Sequence, residues 1–129
     1  MICELLFDAR QRILLIRMGR AVTREALQFM QTALGRFAEV HGRWPGILDL
    51  GATTDVAVSM ADLVALAKRK PVMAGTRRVF VASNDVVYGL CRMVGTYQDA
   101  EGPEIVRSLA AAYIALGVID PAFELFEAM

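Results

Sequence analysis

Arg77-Arg78-Val79-Phe80-Val81-Ala82-Ser83-Asn84-Asp85-Val86-Val87-Tyr88-Gly89-Leu90-Cys91-Arg92 decides the fold. Its first half is a β-favouring apolar run that ends in a polar turn, the pattern of a buried strand. Asn84-Asp85 supplies helix-capping chemistry, and Val86 onward starts a helix. A strand that feeds a helix through a tight polar turn is the working unit of α/β proteins. It also aims unpaired backbone N–H groups past the carboxyl end of the strand. The binding face is therefore expected along that rim.

Outward from this unit the same alternation continues. Ile2 to Phe7 and Arg12 to Met18 are β-rich runs separated by polar Asp8-Ala9-Arg10-Gln11, which predicts a hairpin. Thr23 caps a helix to about His41, with Leu27, Met30, Leu34 and Phe37 on one face and Gly42 past its end. Pro45-Gly46 breaks the chain before a short buried strand, Gly46 to Leu50. Gly51 to Val58 reads as a loop. Ser59 caps a second helix with Asp62 reaching back, the capping-box pattern. Lys68-Arg69-Lys70 closes that helix where its dipole is negative, and Pro71 stops it. The helix after Asn84 runs to about Tyr97, and Gln98 to Pro103 is a polar loop. Glu104 to Arg107 is a short strand, and Ser108 caps a helix ending at Gly117. In the tail, Asp120-Pro121 is a helix-start signal, which predicts a short terminal helix with Phe123 and Phe126 on one side. Those rings would cover the chain's own core or dock on a second copy, and a homodimer is expected.

The chain is thus a single α/β domain over residues 1–129. Its sheet is mixed and mainly parallel, of about five strands, with an N-terminal hairpin, crossover helices and a short C-terminal helix.

Composition excludes several functions. Of the 129 residues, 56% are apolar and 22% charged, and net charge is zero, so no global field draws in nucleic acid or an acidic membrane. The basic cluster Lys68, Arg69, Lys70, Arg77 and Arg78 lacks the interleaved aromatics of a nucleic-acid platform. Cys3 and Cys91 have no metal or redox spacing and read as small buried hydrophobes. The opening residues include Glu4 and Asp8, so no signal peptide is expected. The longest apolar run, Leu109 to Ile119, is too short for a membrane span. A reducing, cytoplasmic setting follows. The single histidine, His41, reads as a surface or capping residue, which leaves no zinc set. GxGxxG, GxxxxGK[ST] and GxSxG are missing, and with them the usual phosphate cradles and nucleophile elbow. Neither metal nor cofactor is expected.

The candidate site residues lie on the predicted rim. Asp49 ends a strand and ties down the next loop or meets a ligand. Ser59 is an N-cap; as a phospho-acceptor it would place a phosphate on a helix N-terminus, and Thr53 and Thr54 lie in the same loop. Asn84 and Asp85 satisfy helix amides. Tyr88 and Arg92, four apart, share a helical face. Either Tyr88 packs on the Arg92 stem, or the two grip an anion or a partner's carboxylate. Seven methionines, mostly at core-like positions, also suit an adaptable apolar pocket.

Ile47-Leu48-Asp49-Leu50, Arg78-Val79-Phe80-Val81-Ala82-Ser83, Tyr88-Gly89-Leu90-Cys91-Arg92-Met93 and Ile105-Val106-Arg107-Ser108, with the element order, resemble the STAS-type (SpoIIAA-like) domains. Within them the chain looks closest to a bacterial stand-alone branch, related in shape to the CRAL-TRIO lipid-binding domains. The resemblance implies a regulatory α/β domain. Antagonists of this family carry an Asp-Ser-Ser-Gly turn with a phosphorylated serine. The corresponding residues here, Ala57-Val58-Ser59-Met60, lack the acidic neighbour and the glycine, which weakens a phospho-switch. The expected function is a non-enzymatic binding or regulatory module that uses the loops Asp49 to Ser59 and Ser83 to Arg92 for a protein partner or small ligand. One alternative is a carrier of a small apolar or amphiphilic ligand. Another is an enzyme using Asp49, Asp85, Tyr88 and Arg92.

Overall fold

The computed structural model describes residues 2–98 and 102–129. Strands β1 (Cys3–Asp8) and β2 (Ile13–Met18) form the expected hairpin, with Cys3 opposite Met18 and Asp8 opposite Ile13. A three-residue strand β3 (Ala21–Thr23) leads into helix α1 (Arg24–His41). The Thr23 hydroxyl accepts from the Ala26 N–H, and Gly42 leaves the helix at a φ of 84°. That left-handed backbone is cheap only for glycine. Then follow β4 (Gly46–Asp49), β5 (Asp55–Ala57), α2 (Met60–Ala67), β6 (Arg78–Val81), α3 (Asp85–Thr96), β7 (Glu104–Val106), α4 (Leu109–Leu116) and β8 (Glu124–Ala128).

The main sheet runs β7-β6-β4-β2-β1-β8. β2, β4, β6 and β7 are parallel neighbours, and β1 is antiparallel to both β2 and β8. Ile47 sits opposite Val79 in the sheet centre. Side chains alternate across the pleat. Leu14, Ile16, Leu48 and Phe80 face α1, α2 and α3, whereas Leu15, Ile47, Val79 and Val81 face α4. The result is one domain with helices on both faces of the sheet.

Two sequence expectations are corrected. Gly51 to Val58 is not all loop: Asp55–Ala57 pairs in parallel with Ala21–Thr23 as a separate two-stranded sheet. Three residues with mostly exposed side chains carry no apolar alternation that would reveal them. The tail is not a helix. Asp120 has a φ of 43°, and Glu124–Ala128 is a sixth strand on the open edge of β1. The unpaired N–H and C=O groups of that edge are a strong template, and pairing there outweighs the local helix signal. Phe123 lies just before the strand and Phe126 within it, and the two rings part company. Phe126 joins Phe7 and Phe37 on one side of the sheet, and Phe123 stacks against Tyr113 on the other. Both rings pack within the chain. Of the predicted loop Gln98 to Pro103, residues 99–101 lie outside the described residues.

Asp8 locks the tail in place. Its buried carboxylate accepts from the backbone N–H of Gln11 at 3.0 Å and of Ala122 at 2.9 Å. The Gln11 side chain in turn exchanges two bonds with the backbone of Ile119. The Gln11 N–H, then the Ala122 N–H, hold the Asp8 carboxyl below its ordinary value against the opposing pull of burial. The folded state prefers the charged form, so stability rises with pH through this group. Its contribution is complete above the ordinary carboxyl range, about pH 4, and is lost as pH falls toward the lower folded value. Asp8→Asn should lower the urea midpoint at pH 6, and the gap from wild type should narrow by pH 3. An equal gap at both pH values would contradict the assignment.

Candidate functional site

At the carboxyl ends of the parallel strands, the predicted rim residues are mostly occupied with nearby backbone N–H groups. The Asp49 carboxylate accepts from the Gly51 N–H at 2.8 Å and so turns its own loop. A side chain at Gly51 would place its Cβ 2.9 Å from that same oxygen, which explains the glycine. Ser59 caps α2 through the Asp62 N–H, and the Asn84 side chain accepts from Val86 and Val87 at the start of α3. Thr53 is buried and donates to the Gly19 carbonyl at 2.8 Å; Thr54 is exposed.

Arg107 is the rim residue the sequence reading missed. β7 runs parallel to β6 with Val106 opposite Val81, which brings the next residue beside the first turn of α3. There Arg107 pairs with Asp85 at 2.7 Å and lies over the Tyr88 ring at 3.9 Å. Tyr88 therefore meets Arg107, while Arg92 is exposed and forms no salt bridge among the described residues. Asp85, Tyr88 and Arg107 form one cluster, and no described hydrogen bond joins Asp49 to it. The Asp85–Arg107 pair is solvent-exposed, and such pairs contribute little to stability.

An apolar concave feature lies elsewhere, between the sheet and helices α1, α2 and α3. It is an apolar cavity of about 180 Å³. Its floor is Leu14, Ile16, Leu48 and Phe80, and its roof includes Leu63, Leu66, Leu90 and Val94. The two faces of the central strands show how it arises. Ile47 and Val79, facing α4, are fully buried, whereas their neighbours Leu48 and Phe80, facing the cavity, are only half-buried. α2 packs against α3, and its Leu63, Leu66 and Ala67 line the cavity. It is only eight residues long, ends at Ala67, and is followed by Pro71 and a run of turns to Thr76. Close-packed interiors hold few voids larger than a water molecule, so this one is unusual. Met18, Met30 and Met73 contribute to its wall, and their flexible thioethers were one hint of it in the sequence.

The cavity wall contains Cys91, whose thiol burial pushes up to about 11. Cys3, also buried and free, is likewise raised to about 11. A thiol so high is uncharged at neutral pH and a poor nucleophile. Among the described residues, no group of His, Cys, Asp and Glu is arranged to hold a metal ion. His41 is exposed, and its ring lies 4.6 Å from that of Phe37 in the aromatic cluster at the end of α1. Among the described residues, no helix is long and apolar enough to cross a membrane.

The fold these elements build is the STAS, or SpoIIAA-like, fold. The chain is similar to the anti-sigma factor antagonist SpoIIAA in its unphosphorylated form, with a TM-score of 0.59 over 88% of this chain and 94% of that one. The two sequences are 13% identical, so the likeness is one of fold. No protein-family model and no curated protein matches the sequence.

Proposed function

We propose that this protein is a non-enzymatic binding module that holds a small apolar or amphiphilic ligand between its sheet and α1–α3. The observation that carries the reading is the 180 Å³ apolar cavity. A cavity of about 150 Å³ with similar walls stays dry and takes up benzene, so this one has room for a single ring or a chain of about six to eight carbons. Apolar contact drives uptake without any catalytic group. The raised thiol of Cys91 accords with a binding rather than a reacting wall. Cys3 and Cys91 are both free, which suits a reducing compartment.

A thermal shift measurement tests this. A ligand that binds only the folded state raises the melting temperature with concentration. Hexan-1-ol at low millimolar concentration should raise that of the wild type saturably. Ala67→Phe puts a ring into the cavity from a buried wall position and should abolish the shift. Val94→Phe, from a half-buried wall position, should do the same if the first variant folds poorly. A wild type that hexan-1-ol only destabilises would refute the reading.

The rim supports a second reading. We assign the loops Asp49–Ser59 and Ser83–Arg92, with Arg107, to a protein partner, on the strength of the fold likeness to an anti-sigma factor antagonist. Photo-crosslinkers on this rim that recover only self-linked products would remove that assignment.

A further inference from the structure

The mouth of the cavity carries its own chemistry. α2 ends at Ala67, and the chain then passes Lys68, Arg69 and Lys70 before Pro71 turns it back toward β6. Lys68 swings aside, its ammonium 5.6 Å from the centre of the Tyr97 ring. Arg69 and Lys70 do not. Both are exposed, yet both contribute to the cavity wall. Long cationic side chains commonly lie this way, with an apolar stem along the wall and a charged head in water. Arg78, also in the wall, is engaged: its guanidinium donates to the Gln98 side chain at 2.9 Å, and Gln98 lines the same cavity. Among the described wall residues every charged group is a cation and none is a carboxylate. The Asp62 carboxylate lies in the neighbouring polar hollow, which shares Arg69 but not Lys70. Among the described residues neither Arg69 nor Lys70 is in a salt bridge.

We propose that the ligand is a monoanionic amphiphile, such as a carboxylate on a chain of about six to eight carbons. Its tail occupies the cavity and its head sits at the mouth between Arg69 and Lys70. This rests on the cavity reading and specifies the head group that reading leaves open. A carboxylate at a guanidinium and an ammonium makes charge-assisted hydrogen bonds while staying in contact with water, so it avoids the desolvation that a buried charge would suffer. A cationic head would meet like charge at the same point.

Isothermal titration with three six-carbon probes at pH 7.5 separates the two readings. Hexanoate should bind about tenfold more tightly than hexan-1-ol, the gain expected from two partly exposed ion pairs. Hexylammonium should bind more weakly than either. The double variant Arg69→Glu, Lys70→Glu should invert the order of hexanoate and hexylammonium and leave hexan-1-ol within about twofold of wild type. The preference for hexanoate should also shrink in high salt, because the pairs face water. Equal binding of hexanoate and hexan-1-ol by the wild type would overturn the head-group proposal and leave the cavity reading standing. Failure of all three probes to bind a folded protein would overturn both.

Discussion

Phe37→Ala should destabilise the protein by about 3–5 kcal/mol, the range for truncating a fully buried aromatic. Phe37 is 0% exposed and is the hub of the end of α1. Its ring centre lies 5.0 Å from Trp44, 5.2 Å from Phe126 and 5.7 Å from Phe7, the first two edge-on. Edge-on contacts of this kind add to the energy of burial. These rings come from two different strands and the α1–β4 connection, so they cannot collapse together into the hole. A domain of this size has a total stability of about 5–15 kcal/mol, so the loss is a large share of it. The fall in melting temperature should be about 10 °C or more. Phe37→Leu, which leaves a smaller void, should cost markedly less. Urea unfolding of the two variants checks the pair, and a loss below about 1 kcal/mol for Phe37→Ala would show that the cluster does not carry this end of the core.

Removal of the chain after Gly117 should have the second large effect. β8 covers the whole outer edge of β1, from Glu4 opposite Ala128 to Phe7 opposite Glu124. Its loss bares that edge, strips Phe126 from the Phe37 cluster and Phe123 from Tyr113, and leaves the Asp8 carboxylate without the Ala122 N–H. A long, flat, apolar strand edge is a template for association between chains. The truncated chain should elute as large aggregates on size exclusion and lose its cooperative melt. A monomeric product with an unchanged melting temperature would mean that the tail is a dispensable appendage and not a strand of the sheet.

Local signals made much of this fold legible. The hairpin is written in two β-rich runs and a polar turn. Thr23, Ser59, Asn84 and Ser108 all stand where the structure uses them as N-caps. The central pair, Ile47 opposite Val79, follows from two apolar runs separated by a helix. What failed is what depends on a distant partner. Glu124–Ala128 has residues that suit a helix, and it is a strand because the edge of β1 is open beside it. Asp55–Ala57 is a strand only because Ala21–Thr23 lies alongside.

The candidate site divides in the same way. Asp49, Ser59 and Asn84 were visible as turn and cap residues, and each makes a contact of that kind; Asp85 instead pairs with the distant Arg107. Arg107 could not be found, because only the register of β6 against β7 carries it to Tyr88. The cavity was hidden for a deeper reason. A void is missing volume, and sequence periodicity reports which side chains face inward, not whether they fill the space between elements.

Methyl-resolved NMR during a titration with hexan-1-ol tests the central claim most directly. The account predicts saturable shifts confined to methyls that line the cavity, Leu48, Leu63, Leu66, Leu90 and Val94 among them, with Val79 and Val81 on the opposite face unmoved. Shifts that stay linear with concentration, or that fall on the exposed methyls of Ile114 and Ile119 instead, would contradict it.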